Sequence, residues 1–309
     1  MKKLLFFAAV ASVMLTACSS ENEEAKVTDS SPLRLSTQNI TSMTRAGQSV
    51  QLTAFDNNES VSIFLVESVS GTATLSGENI TSYTQPLAYT TGASGALNPP
   101  TPQYWPQDGN GLFVYGVYPA GSATAYNATG VSFTVAADQS GDTNYKASDL
   151  MTGAPATNPV ARTVPTPEID LTFTHLLTKI DVNLTAGAGF TDVSSAVVTI
   201  LNTKPSTTFN VQNTTVGAAS GTATAITAGT GTATSAIIVP QTVTNGNNLI
   251  QVAIGGGNYY YKLTADVTFA AQTKYTYNLT VNKAGLVLTA TTITPWTDTA
   301  AVGGTAELQ

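Results

Sequence analysis

The chain has 309 residues, only 10% of them charged, and its formal net charge at pH 7 is −7. From Ala46 onward it carries 7 Lys and Arg against 15 Asp and Glu, a difference of −8, and an acidic body without a basic patch argues against a nucleic-acid partner. A single cysteine and a single histidine exclude a disulfide framework, thiol redox chemistry and a zinc site.

The first 20 residues have the order of an export signal. Two lysines precede an apolar run at residues 4–14, which is too short for a spanning helix of about 20 residues. The small residues before Cys18 resemble the lipobox of bacterial lipoproteins, in which the cysteine is diacylated and becomes the new N-terminus. We therefore expect residues 1–17 to be a signal peptide and Cys18 to be lipidated. The alternative is a plain secretory cut near Ala17 that leaves a free thiol.

Residues 18–45 are polar and have few large apolar side chains, which predicts a lipidated tether. Leu33 and Leu35 alternate within this tether and indicate one short strand. Two of the three arginines of the protein, Arg34 and Arg45, also lie in it. An arginine in a flexible polar segment is a good protease substrate, and an ordinary solvated arginine is the alternative interpretation.

After Ala46, short apolar runs with period two predict β-strands, and no helical periodicity accompanies them. The runs lie at residues 61–66, 112–118, 131–135, 171–184, 197–201, 236–239, 250–263, 275–281, 286–293 and 302–308. The run at 250–263 is a hairpin around three glycines. This pattern predicts an all-β protein built from antiparallel β-sandwiches.

Length and proline content divide the body into two predicted domains. The chain after the signal suffices for two domains of about 100 to 150 residues each. A stretch with four prolines at residues 155–167 is typical of a connection. We therefore expect an N-terminal domain at 46–165 and a C-terminal domain at 166–309.

One strand changes its apolar phase. Leu171 and Phe173 are odd-numbered, whereas Ile180 and Val182 are even-numbered. A β-bulge at residues 175–177 would keep both ends of a single strand facing the core.

No constellation of residues indicates an enzyme, a cofactor or a metal. His175 lies in an apolar strand without a G-x-S-x-G motif elsewhere, so we interpret it as structural. Asp138, Asp142 and Asn144 lack the spacing of a calcium loop and are typical of a solvated turn. Paired carboxylates from distant strands are not indicated by any motif. The aromatic row at 113–117 favours a core role over a sugar platform.

Several stretches, taken together, resemble the fimbrillin family of Bacteroidia, the subunits of type V pili. Their order and spacing carry the resemblance, which spans nearly the whole chain. They are the lipobox at 15–18, Thr44-Arg45-Ala46, Tyr104-Trp105 with the block 113–119, Phe173-x-His175-Leu176-Leu177-x-Lys179, Tyr275-x-Tyr277-x-Leu279, and Ile293-Thr294-Pro295-Trp296.

The resemblance implies two transthyretin-like antiparallel β-sandwich domains in tandem. It also implies export, lipidation, display at the outer membrane, and removal of the tether by a trypsin-like protease. Carried over to this chain, the cut falls between Arg45 and Ala46 and removes the strand at Leu33 and Leu35. The C-terminal strands of another pilin subunit then fill the groove. The expected donor residues are Leu286, Leu288, Ile293, Val302 and Leu308.

Two rival interpretations remain. In a cell-surface glycan-binding lipoprotein, Tyr104, Trp105 and residues 259–261 would stack on sugar faces. Within the pilin interpretation, the chain is a stalk, tip or anchor subunit, and an adhesion ligand from the host is a further expected partner.

Overall fold

The computed structural model describes residues 32–40, 55–68, 86–106, 109–163 and 165–296. Within these residues the protein is almost entirely β-strand, which confirms the all-β prediction. Its one α-helix there, α1 (Asp142–Ala147), is short, and no helix in this part of the chain has the length and apolarity to cross a membrane. Five residues with predicted roles lie outside the described ranges: Cys18, Arg45, Ala46, Val302 and Leu308.

The strands are numbered in chain order. The first eight are β1 (Leu35–Ile40), β2 (Ser60–Ser68), β3 (Leu87–Thr91), β4 (Ala96–Asn98), β5 (Gly111–Tyr118), β6 (Val131–Thr134), β7 (Met151–Ala154) and β8 (Ile169–His175). The next six are β9 (Thr178–Ala186), β10 (Val197–Thr203), β11 (Ser206–Phe209), β12 (Thr224–Thr230), β13 (Ala233–Ile238) and β14 (Gln241–Val243). The last five are β15 (Asn248–Ile254), β16 (Gly257–Lys262), β17 (Val267–Phe269), β18 (Thr273–Asn282) and β19 (Gly285–Pro295).

Seven strands form a closed sheet in the order β1-β4-β3-β2-β5-β7-β8. β1 completes the closure, because it pairs antiparallel with β4 and parallel with β8. Both faces of β2 are apolar and buried, as its continuous apolar run predicts. Val61, Ile63 and Leu65 belong to the core inside the closed sheet, whereas Phe64 and Val66 belong to a second core outside it.

The second core lies mainly between two four-stranded sheets, with orders β12-β10-β15-β16 and β13-β9-β18-β19. Alternate residues of β18 are buried, as predicted. The predicted hairpin is also present, as β15 and β16. Its two-residue turn, Gly255 and Gly256, has φ of 58° and 77°, which a type I′ turn requires at both positions and glycine adopts without strain.

Most strand pairs are antiparallel, but two pairs are parallel. β9 pairs with β18 in parallel along its whole length, and β1 pairs with β8 in parallel. The strands of each parallel pair are far apart in sequence, so neither pair is constrained by a hairpin turn to run antiparallel.

The predicted β-bulge at 175–177 is wrong. β8 ends at His175 in the closed sheet, and β9 begins at Thr178 in another sheet. The apolar phase changes because the chain changes sheets at Leu176 and Leu177. β8 pairs with β7 and β1, so a division at residue 165 falls before the last strand of the closed sheet. The division of the chain into two domains stays a prediction.

Candidate assembly site

The predicted tether contributes the strand β1 to the closed sheet. Leu35 is paired with Leu97 of β4 on one side and with Ile169 of β8 on the other. The backbone N–H of Leu33 donates to the carbonyl of Gln103 at 2.7 Å, and that of Ile169 donates to the carbonyl of Arg34 at 3.0 Å. β1 therefore fills the space between two strands that would otherwise each have an open edge.

The side chains at residues 33–35 alternate between buried and exposed, although Leu33 lies just before β1. Ser36 and Thr37, which follow, are both buried. Leu33 is 4% exposed and Leu35 is 3% exposed, and both belong to the core of the closed sheet. Arg34 between them is exposed. Burying a leucine side chain contributes about 2 kcal/mol, so the two leucines hold the tether in the sheet with about 4 kcal/mol before the entropy cost of ordering it.

Polar and close backbone contacts also hold β1. The buried hydroxyl of Ser36 donates a hydrogen bond to the carboxylate of Asp170, its register partner on β8. On the other side, the 3₁₀ turn Ala93–Gly95 lies directly against β1. A Cβ at Gly95 would lie only 2.0 Å from the carbonyl oxygen of Thr37, and Gly95 has φ of +79°. Only glycine fits this contact without displacing the backbone.

The predicted donor strand is the outermost strand of its sheet. β19 pairs with β18, and nothing else in the described part of the chain pairs with its other edge. Leu286 and Leu288 are half-buried against the second core. Val287 and Ile293 are 53% and 46% exposed. β19 is thus an apolar strand that its own sheet covers incompletely.

A buried histidine lies beneath the end of β19. His175 Nδ1 is 2.7 Å from Asp149 Oδ1, and both side chains are fully buried. The ring of Trp296 stacks on the imidazole with centroids 4.1 Å apart and an interplanar angle of 9°. This arrangement agrees with a structural role for His175. Sequence analysis did not identify either partner, because Asp149 and Trp296 are distant along the chain.

Two lysines have opposite electrostatic environments. Burial lowers the pKa of Lys179 from its ordinary value of 10.5, although Asp181, 3.4 Å away, opposes this effect. Burial acts in the same direction on Lys146 of α1, but hydrogen bonds to Asp56 at 2.7 Å and Glu59 at 2.6 Å outweigh it and raise its pKa. The ion pairs of Lys146 join α1 to the residues that precede β2.

The structure limits the glycan alternative. Trp105 is 2% exposed and belongs to the core of the closed sheet, so it cannot stack on a sugar. Tyr104 and Tyr260 remain exposed, at 42% and 43%. The row at residues 113–117 is buried and is core, as predicted.

The solvated turn predicted for Asp138, Asp142 and Asn144 is present only at Asp138, because Asp142 and Asn144 lie in α1. Asp138 accepts hydrogen bonds from the amide and hydroxyl of Ser140. No group of three side chains suited to a metal ion occurs among the described residues.

Comparison with known proteins identifies the family. A family model described as fimbrillin-like matches residues 44–296. None of the curated proteins matches the chain. Members of the matched family are structural subunits of cell-surface fimbriae and are not enzymes.

Solved structures agree in fold. A candidate cell adhesion protein from Bacteroides uniformis has a TM-score of 0.63 at 22% identity, with 86% of this chain and 98% of that chain covered. Another from Bacteroides ovatus has a TM-score of 0.63 at 15% identity, with the same two coverages of 86% and 98%. With a family model that matches most of its length, the chain belongs to the fimbrillin-like family.

Proposed function

We propose that this chain is the polymerising subunit of a cell-surface fimbria. It is exported, lipidated at Cys18 and displayed at the outer membrane. A trypsin-like protease cuts between Arg45 and Ala46, and the subunits then polymerise by strand exchange and support adhesion. The observation that carries the proposal is the position of β1. This strand belongs to the tether, lies just before Arg45 in sequence, and closes the sheet.

Removal of β1 would create an acceptor. The strands β4 and β8 would each have a row of unpaired N–H and C=O groups, and the places of Leu33 and Leu35 would be open to water. An incoming strand satisfies both requirements at once by β-augmentation. Because donor and acceptor are different surfaces, each subunit can accept one neighbour and donate to another. The product is an open filament rather than a closed dimer.

The C-terminal strand supplies a suitable donor. β19 is an edge strand, so it can leave β18 without breaking the interior of its sheet. Its residues Leu286, Leu288 and Ile293 are apolar and incompletely covered. Val302 and Leu308, which lie outside the described residues, extend the same donor segment in our proposal.

Substitution of the cleavage residue tests the proposal. We expect Arg45→Ala to leave a lipidated monomer, because β1 stays in the sheet and blocks the acceptor. Electron microscopy of the cell surface and the mass of the extracted protein provide the measurement. Arg34→Ala is the matched control, since it removes the other tether arginine and leaves the cleavage residue intact; it should form fibres. Normal fibres from Arg45→Ala would contradict the proposal.

A glycan-binding lipoprotein is the second candidate function. The exposure of Tyr104 and Tyr260 is the observation that supports it. Retention of the purified monomer on immobilised glycans, abolished by Tyr104→Ala or Tyr260→Ala, would favour it. A structural pilin has no need of such affinity.

A further inference from the structure

The donor strand repeats the sequence of the strand that it is proposed to replace. Residues 33–40 are LRLSTQNI, and residues 286–293 are LVLTATTI. The two leucines and the final isoleucine coincide at the same spacing. Ser36 corresponds to Thr289, so each segment has a hydroxyl directly after its second leucine.

The two segments also share the orientation of their leucines, and each strand has one irregularity in its register. Arg34 and Val287, at the position between the leucines, both point to solvent. The register of β1 against β8 shifts by one residue after Ser36. The register of β19 against β18 shifts by one residue at Thr289. The extra residue of β1 lies at position 37 or 38, whereas the extra residue of β19 is Thr289, which corresponds to Ser36. In the place of β1, the irregularity of the donor would therefore lie one or two residues later than it does against β18.

From this correspondence we propose that β19 of a second copy of this chain enters the vacated place of β1 in the register of β1. Leu286 takes the place of Leu33, and Leu288 takes the place of Leu35. The hydroxyl of Thr289 donates to the carboxylate of Asp170, as the hydroxyl of Ser36 does in the uncut chain. Asp170 is thus a specificity-determining residue. This inference rests on the proposed function and adds the register to it.

Burial fixes this register. Leu286 and Leu288 are half-buried in their own sheet, whereas the places of Leu33 and Leu35 are almost completely buried. A slip by one residue would put Leu286 in the exposed place of Arg34 and would put Leu288, instead of a hydroxyl, beside Asp170 in the place of Ser36. The donor would run antiparallel to β4 and parallel to β8, as β1 does.

Disulfide trapping in assembled fibres measures the register. Thr289→Cys with Asp170→Cys places two thiols on residues that the register pairs directly, within the Cα separation that a disulfide requires. Because this pair also removes the hydrogen bond to Asp170, the subunits are assembled at high concentration and equal masses of purified fibre are compared. Cleavage removes Cys18, so no other thiol remains. We expect a ladder of covalent oligomers on a non-reducing gel. The control pair, Thr289→Cys with Thr172→Cys, is displaced by two residues, about 7 Å along the strand, and should give no ladder.

Each outcome has a distinct meaning. A ladder from the directly paired cysteines alone supports the register. Fibres that give a ladder with the displaced pair alone, or with neither pair, overturn the register while strand exchange stands. If the cleaved unsubstituted chain forms no fibres, the proposed function itself fails and the inference fails with it.

Single substitutions in the donor provide a second test that does not need two cysteines. We expect Leu288→Asn to lower the fibre yield at least about ten-fold, because the register places it inside the acceptor. Val287→Asn should leave the yield within about two-fold, since this residue stays exposed. Circular dichroism of each precursor checks that it folds. Equal losses from the two variants, with both folded, would contradict the register.

Substitution of Thr289 tests the role of Asp170. Thr289→Val keeps the shape of the side chain and removes the hydroxyl, so the fibre yield should fall about ten-fold, as expected for loss of a hydrogen bond to a charged group. Thr289→Ser keeps the hydroxyl and should retain the yield. If both variants assemble equally well, Asp170 does not determine specificity.

Discussion

Gly95 packs directly against the backbone of β1 at Thr37. Its Cα lies against the backbone of Thr37, and any Cβ there would overlap the carbonyl oxygen. The same contact would face a donor strand that occupies this place in another copy. A side chain at position 95 would therefore clash with β1 in the uncut chain and with the donor strand in the fibre.

We predict that Gly95→Ala destabilises the precursor by about 2–4 kcal/mol, through backbone strain at positive φ and through overpacking against Thr37. Urea unfolding of the uncleaved protein provides the measurement. Gly121→Ala is the matched control, because Gly121 has φ of +83° and nothing lies within 4 Å of its Cβ position. It should cost only about 1 kcal/mol. Equal costs at the two positions would show that the contact with Thr37 does not hold β1.

At this scale, alternation in the sequence predicted the strand at Leu33 and Leu35, because burial of alternate side chains is a local pattern. The hydrogen bond from Ser36 to Asp170 joins residues 134 positions apart and could not be predicted in this way. The burial of Trp105 could not be predicted either, because an isolated aromatic residue has the same sequence pattern in a core and on a sugar-binding surface.

Among the elements, β19 is paired along only one of its edges, whereas its C-terminal end is held firmly. The strand pairs with β18 alone, but its last described residue, Trp296, is 1% exposed and stacks on His175. The amide of Trp296 also donates to the carbonyl of Gln272 at 2.6 Å. Departure of β19 as a donor requires this end to be released.

We expect Trp296→Ala to loosen β19, because truncation of a buried tryptophan removes about 3–5 kcal/mol of packing. Hydrogen exchange of the β19 amides should accelerate more than that of the central strand β10. Trp296→Phe retains a ring over His175 and should restore most of the protection. If β19 and β10 accelerate equally in Trp296→Ala, the stack does not hold this strand in particular.

The elements themselves were predictable to different degrees. β18 and the hairpin of β15 and β16 follow from period two and from a glycine turn, both of which are local signals. The change of sheet at Leu176 and Leu177 produces the same phase shift as a bulge, so the sequence pattern alone does not distinguish the two. The parallel pairing of β9 with β18 depends on contacts between distant segments.

In the whole molecule, the closed sheet and the two four-stranded sheets are joined by shared packing. Phe64 and Val66 from β2 lie in the same core as Ile180 and Val182 from β9. Loss of β1 would open the closed sheet between β4 and β8. In the strand order, this gap lies opposite β2 and β5. The second core could therefore stay intact while the acceptor is empty.

The composition of the chain and the order of its motifs were sufficient to predict an all-β fimbrial subunit. They did not determine how the sheets connect, because a strand pattern defines which face of a strand is buried and not which strand lies beside it. The position of β1 between β4 and β8 could be seen only in the folded chain.

The most direct test of strand replacement is the N-terminal residue of subunits recovered from purified surface fibres, determined by N-terminal sequencing and intact mass. We predict Ala46, because the acceptor can take a donor only after β1 has been removed. Fibres whose subunits begin at acylated Cys18, with Leu33 and Leu35 still attached, would contradict the replacement of β1 by a strand from a neighbouring copy.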